Sequence, residues 1–250
     1  MDQLLVALDV ERAAKAIALA DALRGIAGGF KIGSRLFTAE GPSIARALVE
    51  KGDRVFLDLK FHDIPNTVAQ AVAAATSLGV WMLNVHASGG RRMMEAARDA
   101  AAEAATRAGR QRPLVIAVTV LTSMNAQALA ETGSVAPGQE RGQESGPASS
   151  ILDRVIRLAR LAEASGLDGV VASPQETAAL RRTCGAAFSI VTPGIRGGGA
   201  QAGGKDDQER TMSAREAIAA GASYIVVGRP IIAAPDPRGA AEELIRNAAF

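Results

Sequence analysis

Across 250 residues the chain has one cysteine, one tryptophan, one tyrosine and two histidines. The lone Cys184 excludes an intramolecular disulfide, which fits a reducing compartment. No histidine flanks it to activate the thiol, so it reads as a semi-buried structural residue. With only His62 and His86 available, no His/Asp/Glu spacing makes a metal site. Neither a Ser-His-Asp arrangement nor a nucleophile elbow stands out. Both histidines read as structural, His62 through a loop hydrogen bond. Aromatics make up 3% of the chain, so the core must be aliphatic. No block of Lys and Arg with interleaved aromatics is present and the net charge is +2, so nucleic-acid binding is not expected. Local basic residues can still hold a small anion. No stretch approaches the ~20 apolar residues of a membrane span. The start, Met1-Asp2-Gln3-Leu4-Leu5, lacks a basic segment followed by a long apolar run. A soluble, cytoplasmic protein is expected.

What is there is an alternation of short apolar runs and longer amphipathic ones. The expected strands are Leu4–Asp9, Gly29–Ile32, Arg54–Leu59, Val80–Val85, Leu114–Val120, Asp168–Ala172, Phe188–Thr192 and Ser223–Val227. Each is rich in Val, Ile, Leu or Phe, as strands buried on both faces should be. The expected helices are Glu11–Arg24, Pro42–Lys51, Pro65–Leu78, Arg91–Ala108, Ser150–Ser165, Pro174–Arg182, Ser213–Ala220 and Pro237–Ala248. Proline opens several of them, and glycine follows others, at Gly52, Gly79, Gly109, Gly166 and Gly221. This order and length predict a single α/β domain over residues 1–250, a (β/α)8 TIM barrel. The alternative, a doubly wound open sheet, should carry a Gly-rich loop after its first strand. Here Leu8-Asp9-Val10-Glu11-Arg12 follows, with no glycine. Two segments break the rhythm. Glu131–Ser149 is polar and reads as a surface loop, while the glycine-rich Gly197–Asp207 follows strand seven, where a mobile lid could sit.

The chemistry centres on strand three. Side chains alternate along a strand, so Asp58 and Lys60 share a face at its C-terminal end, where barrel enzymes place catalytic groups. Asp63 follows in the next loop. Spacing alone leaves this Asp-x-Lys-x-x-Asp cluster open to an ordinary ion-pair reading. In a barrel, however, Asp9 at the end of strand one and Lys31 in strand two converge on the same rim. A lysine flanked by carboxylates suits proton donation or stabilisation of a carbanion, not Schiff-base chemistry, which needs a neutral amine. Gly228 and Arg229 follow strand eight, where barrels bind phosphate, and Gln208 lies just past the glycine-rich loop. A phosphorylated ligand is expected.

These stretches resemble the bacterial orotidine 5'-phosphate decarboxylase family. The matching residues are Leu8-Asp9, Phe30-Lys31-Ile32-Gly33, Asp58 to Thr67, Val85 to Gly90, Val118 to Ser123, Thr192 to Arg196, Asp207-Gln208 and Gly228-Arg229-Pro230. They occur in order and cover most of the chain. The resemblance implies decarboxylation of orotidine 5'-phosphate to uridine 5'-phosphate, the last step of de novo pyrimidine synthesis, without metal or organic cofactor. It implies that Lys60 protonates C6 of the pyrimidine, that Asp58 lies beside the substrate carboxylate, and that Asp9 and Lys31 hold ribose hydroxyls. Asp63, Ile64 and Thr67 would reach into a partner's site in a homodimer. Thr122 and Ser123 would contact the pyrimidine, and Arg196, Gln208, Gly228 and Arg229 the phosphate end. Two alternatives stay open: a magnesium-dependent hexulose-phosphate synthase or keto-gulonate-phosphate decarboxylase of the same superfamily, and a catalytically silent phosphate-binding barrel.

Overall fold

The computed structural model describes residues 2–132, 151–196 and 212–248. Its strands are β1 Leu4–Ala7, β2 Gly29–Gly33, β3 Val55–Phe61, β4 Met82–His86, β5 Leu114–Val118, β6 Gly169–Val171, β7 Ser189–Thr192, β8 Ile195–Arg196, β9 Met212–Ser213 and β10 Tyr224–Val227. Eight of them close a barrel in the order β1-β10-β7-β6-β5-β4-β3-β2, every pair parallel. Helices alternate with these strands, so the architecture is a single (β/α)8 barrel and not an open sheet.

Period-two alternation divides the apolar residues between two cores. Leu4, Val6 and Leu8 face outward into the layer between sheet and helices. Leu5 and Ala7 face inward, with Phe56, Met82, Ile116, Val191 and Val226. The inner core is therefore small, aliphatic apart from Phe56, and packed, so the barrel is not a pore. Its N-terminal mouth holds the single tryptophan and the single tyrosine. Trp81 meets Tyr224 edge-on, with centroids 5.2 Å apart, and the Arg54 guanidinium lies 3.8 Å from the Trp81 ring centroid. Nearby, Arg112 donates to both Asp168 carboxylate oxygens, at 2.9 and 2.5 Å, and the Val115 N–H donates to the same carboxylate at 2.7 Å. That fork ties the start of β5 to the start of β6.

Several element ends differ from expectation. Strand one stops at Ala7, leaving Asp9 in a turn, and strand three runs on to Phe61. The region expected as one helix from Pro174 is a 3-10 turn, Pro174–Glu176, followed by Thr177–Cys184. Three further helices among the described residues were not expected from the sequence. Ser34–Glu40 leaves β2 directly from Gly33 with no side-chain cap, Ala126–Glu131 is a short helix capped by Asn125, and Arg229–Ile232 follows Gly228. The five glycines expected to end helices all adopt positive φ, from 59° at Gly109 to 102° at Gly221. Cys184 is buried, and burial raises its thiol pKa, as suits a structural residue.

The shortest barrel strand sets a steric limit. A Cβ on Gly169 would lie 2.2 Å from the Ser189 carbonyl oxygen on β7. Backbone cannot yield there cheaply, so Gly169→Ala should cost about 1–3 kcal/mol of stability. Urea unfolding of the variant checks this; an unchanged midpoint would contradict it.

Candidate active site

Four charged side chains meet at the C-terminal ends of β1, β2 and β3. Past β1, the Leu8 N–H continues the ladder to the Lys31 carbonyl, and the Val10 N–H donates to the Leu8 carbonyl, both at 2.9 Å. This tight three-residue turn presents Asp9 at its apex. Lys31 lies mid-β2 with its side chain directed inward and donates to Asp9 Oδ1 at 3.0 Å. Its Nζ is 3.4 Å from Asp58 Oδ2. The other Asp58 oxygen, Oδ1, accepts from Lys60 Nζ at 2.7 Å. The sequence Asp9–Lys31–Asp58–Lys60 is thus a continuous chain of alternating charge.

Exposure grades this chain. The side chains of Lys31 and Asp58 are 10% and 13% exposed, those of Lys60 and Asp9 35% and 50%. The inner pair anchors, and the outer pair is left accessible to a ligand. Gly33 leaves room for the Lys31–Asp9 contact: a Cβ there would sit 3.0 Å from Lys31 Nζ and 3.3 Å from Asp9 Oδ1. The sequence pattern contained this glycine but not the reason for it.

Lys60 does not reach Asp58 by regular pleating. Its φ is 53°, the one positive value among described non-glycine residues. The β3–β4 register also shifts between Leu57 and Phe61. The alternation argument therefore gave the right neighbours through the wrong local geometry.

The remaining expected residues distribute around the rim. Asp63 stands apart from the array, exposed; its Oδ1 accepts from the Ile64 N–H at 2.6 Å. Among the described residues it joins no ion pair. Ile64 is 67% exposed, and Thr67 is exposed one turn into helix Pro65–Ser77. Thr122 and Ser123 form the turn after β5, diametrically across the closed barrel from β1. Gly228 follows β10 beside β1, with its ideal Cβ position 3.7 Å from Asp9 Oδ2, and Arg229 is exposed next to it. The backbone of Arg196 pairs with Ser213 in the small β8–β9 sheet. Gln208 and the segment expected as a lid, 197–207, lie outside the described residues, as does most of 131–149.

Sequence reasoning missed Asn84. It is fully buried on β4 and hydrogen-bonds both to Asp58 and to the Lys60 backbone. The two histidines pack ring to ring, centroids 5.3 Å apart, rather than serving separate loops. Among the described residues no three His, Cys, Asp or Glu side chains converge in a way that could hold a metal ion.

Fold and rim define a (β/α)8-barrel enzyme with an alternating carboxylate–ammonium array on its catalytic face. The chain belongs to the orotidine 5'-phosphate decarboxylase / HUMPS family, whose profile matches residues 2–244. It is similar to the orotidine 5'-phosphate decarboxylase of Moorella thermoacetica, 51% identical over 97% of this chain and 90% of that protein. A second relative of the same name, from Chromobacterium violaceum, is 52% identical over 94% of this chain and 87% of its own length. The crystal structure of orotidine 5'-phosphate decarboxylase from Lactobacillus acidophilus superposes with a TM-score of 0.80 at 34% identity, covering 99% of both chains.

Burial lowers the His86 imidazole below its ordinary value of about 6.5; His62 and Lys60 add to this, and Asp58 opposes it. Folding then favours the neutral ring, and in acid the unfolded chain binds more protons. The resulting stability is complete above the ordinary imidazole value and is lost as pH falls from about 6.5 toward the lower folded value. His86→Gln should therefore flatten the acid side of a urea-midpoint-against-pH curve. An unchanged slope would show that His86 does not contribute.

Proposed function

We propose that this chain converts orotidine 5'-phosphate to uridine 5'-phosphate and CO2, the closing step of de novo pyrimidine synthesis. The observation that carries the reading is the Asp9–Lys31–Asp58–Lys60 array on the catalytic rim of a family member. It is supported by relatives of one name at about half identity over nearly the full chain.

In this reading one barrel domain spans the chain, and the substrate lies across the rim. Asp9 and Lys31 hold ribose hydroxyls, Thr122 and Ser123 contact the pyrimidine, and Gly228, Arg229, Arg196 and Gln208 serve the phosphate. Asp58 stands beside the substrate carboxylate. The C6–carboxylate bond breaks and CO2 leaves without the bonding pair, which stays on C6. The Lys60 ammonium is already fixed at that carbon, so it stabilises the charge as it develops and then donates its proton there. Lys60 regains a proton from water. Binding energy from the remote phosphate organises the array, so it raises the chemical rate as well as affinity. The reaction takes no metal or organic cofactor, unlike the magnesium-dependent members of the superfamily.

The same reading makes the protein a cytoplasmic homodimer in which Asp63, Ile64 and Thr67 enter the partner's site. Two features support it: an isoleucine 67% exposed beside an acid that leaves the local array alone, and the single cysteine. No described helix is long and apolar enough to cross a membrane.

The purified chain should deplete the absorbance of orotidine 5'-phosphate equally with and without chelator. Loss on chelation would favour a magnesium-dependent sugar-phosphate reaction. Lys60→Ala should fold and lose decarboxylation; substantial turnover would remove Lys60 from the proposed role. The shared site predicts that Lys60→Ala subunits mixed with Asp63→Ala subunits regain activity, because each hybrid keeps one intact site. No recovery despite proven subunit exchange would refute the sharing.

A further inference from the structure

The β3–β4 pairing contains an irregularity placed at the array. Leu57 pairs with Leu83 and Phe61 with Val85, so β3 advances four residues, from 57 to 61, while β4 advances two, from 83 to 85. Asn84 is the β4 residue opposite this bulge. Extra residues in a bulge leave backbone groups without ladder partners, and a buried one must be satisfied elsewhere. Asn84 Oδ1 accepts the Lys60 N–H at 2.8 Å, so a side chain replaces the missing strand carbonyl. The other end of the same amide, Nδ2, donates to Asp58 Oδ1 at 2.7 Å. That oxygen also accepts from Lys60 Nζ. Asn84 itself is 0% exposed.

From this geometry we infer that Asn84 is a positioning residue for the proposed decarboxylation, fixing the left-handed backbone of Lys60 and the orientation of the Asp58 carboxylate together. The inference rests on the function proposed above. One planar amide spans two catalytic groups, so neither can rotate without breaking a part-buried hydrogen bond. A non-glycine residue at φ 53° persists only where its surroundings hold it, and this bond is such a restraint. The asparagine amide supplies an acceptor and a donor on one planar group, whereas Asp supplies a donor only when protonated and Leu supplies neither.

The charged and titratable groups around position 84 are Asp58 and Lys60 on β3, Lys31 on β2 and His86 on β4, with His62 against His86. β5 presents Ile116 in register with Asn84. This setting gives two variants separate signatures. Asn84→Leu keeps the branched shape and removes both bonds. The reactive geometry loosens, so kcat should fall roughly 100-fold while KM changes little. Asn84→Asp keeps the acceptor for the Lys60 N–H. Protonated, its new carboxyl also donates to Asp58; ionised, it repels Asp58. This variant should keep most activity in acid and lose kcat as pH rises, through an ionisation absent from the wild-type profile.

The test is steady-state kinetics of the full-length enzyme and both variants across pH, alongside uridine 5'-phosphate binding and near-UV circular dichroism. The expected result is intact product binding and fold, a depressed kcat for Asn84→Leu, and the added ionisation for Asn84→Asp. Wild-type kcat in a folded Asn84→Leu, or a pH profile of Asn84→Asp parallel to wild type, would overturn the inference and leave the proposed function standing. A wild-type enzyme inactive on orotidine 5'-phosphate would instead overturn the function. If Asn84→Leu does not fold, the Asn84→Asp profile decides.

Discussion

The Asp58 carboxylate takes part in three polar contacts at once: Lys60 and Asn84 donate to Oδ1, and Lys31 sits against Oδ2. An ion withdrawn this far from water is tolerated only when surrounded by donors, and removing one partner of a buried pair costs about 3–5 kcal/mol. The rim is built to satisfy this one group. Gly33 leaves space for the Lys31 ammonium, the turn at Leu8–Val10 brings Asp9 to the far side of that ammonium, and the bulge in β3 swings Lys60 back over its own strand. Under the proposed function, lysine and carboxylate are held in place before any ligand arrives, which leaves little reorganisation for the chemical step.

Such a rim needs a rigid base. The inner core supplies it with seven buried apolar side chains drawn from strands around the circle, Leu5, Ala7, Phe56, Met82, Ile116, Val191 and Val226. Close packing there resists shifts of individual strands. The Arg112–Asp168 fork adds a polar lock at the N-terminal end, far from the array. Stability is thus concentrated at one end of the barrel and charge chemistry at the other, so changes in the rim loops can alter reactivity without loosening the scaffold.

The sequence made the barrel and most of the array legible, because period-two runs and strand ends carry that information directly. Asp9, Asp58 and Lys60 were picked out by their positions near strand C-termini, and Lys31 by its place in the neighbouring strand. The bulge was not legible, since Lys60-Phe61 has the composition of an ordinary strand and a shift in register depends on the neighbouring strand. Asn84 was hidden for the same reason: between Leu83 and Val85 it looks like one more inward residue, and its two bonds exist only once β3 and β4 are paired. Helix Ser34–Glu40 escaped notice because it begins at a glycine without a capping side chain. Spacing set Asp63 beside the array and the resemblance assigned it to a partner's site; within one chain it stands exposed, outside the array.

The lone tryptophan lies at the mouth opposite the reactive rim, wedged between a tyrosine edge and a guanidinium. That position makes the protein's intrinsic fluorescence a selective reporter. Emission follows the integrity of the barrel floor, because unfolding separates Trp81 from Arg54 and Tyr224. Ligand arriving at the far rim leaves those contacts in place. Spectroscopists therefore have a built-in gauge of folding that is largely blind to occupancy, and a probe of occupancy has to be introduced on the other face.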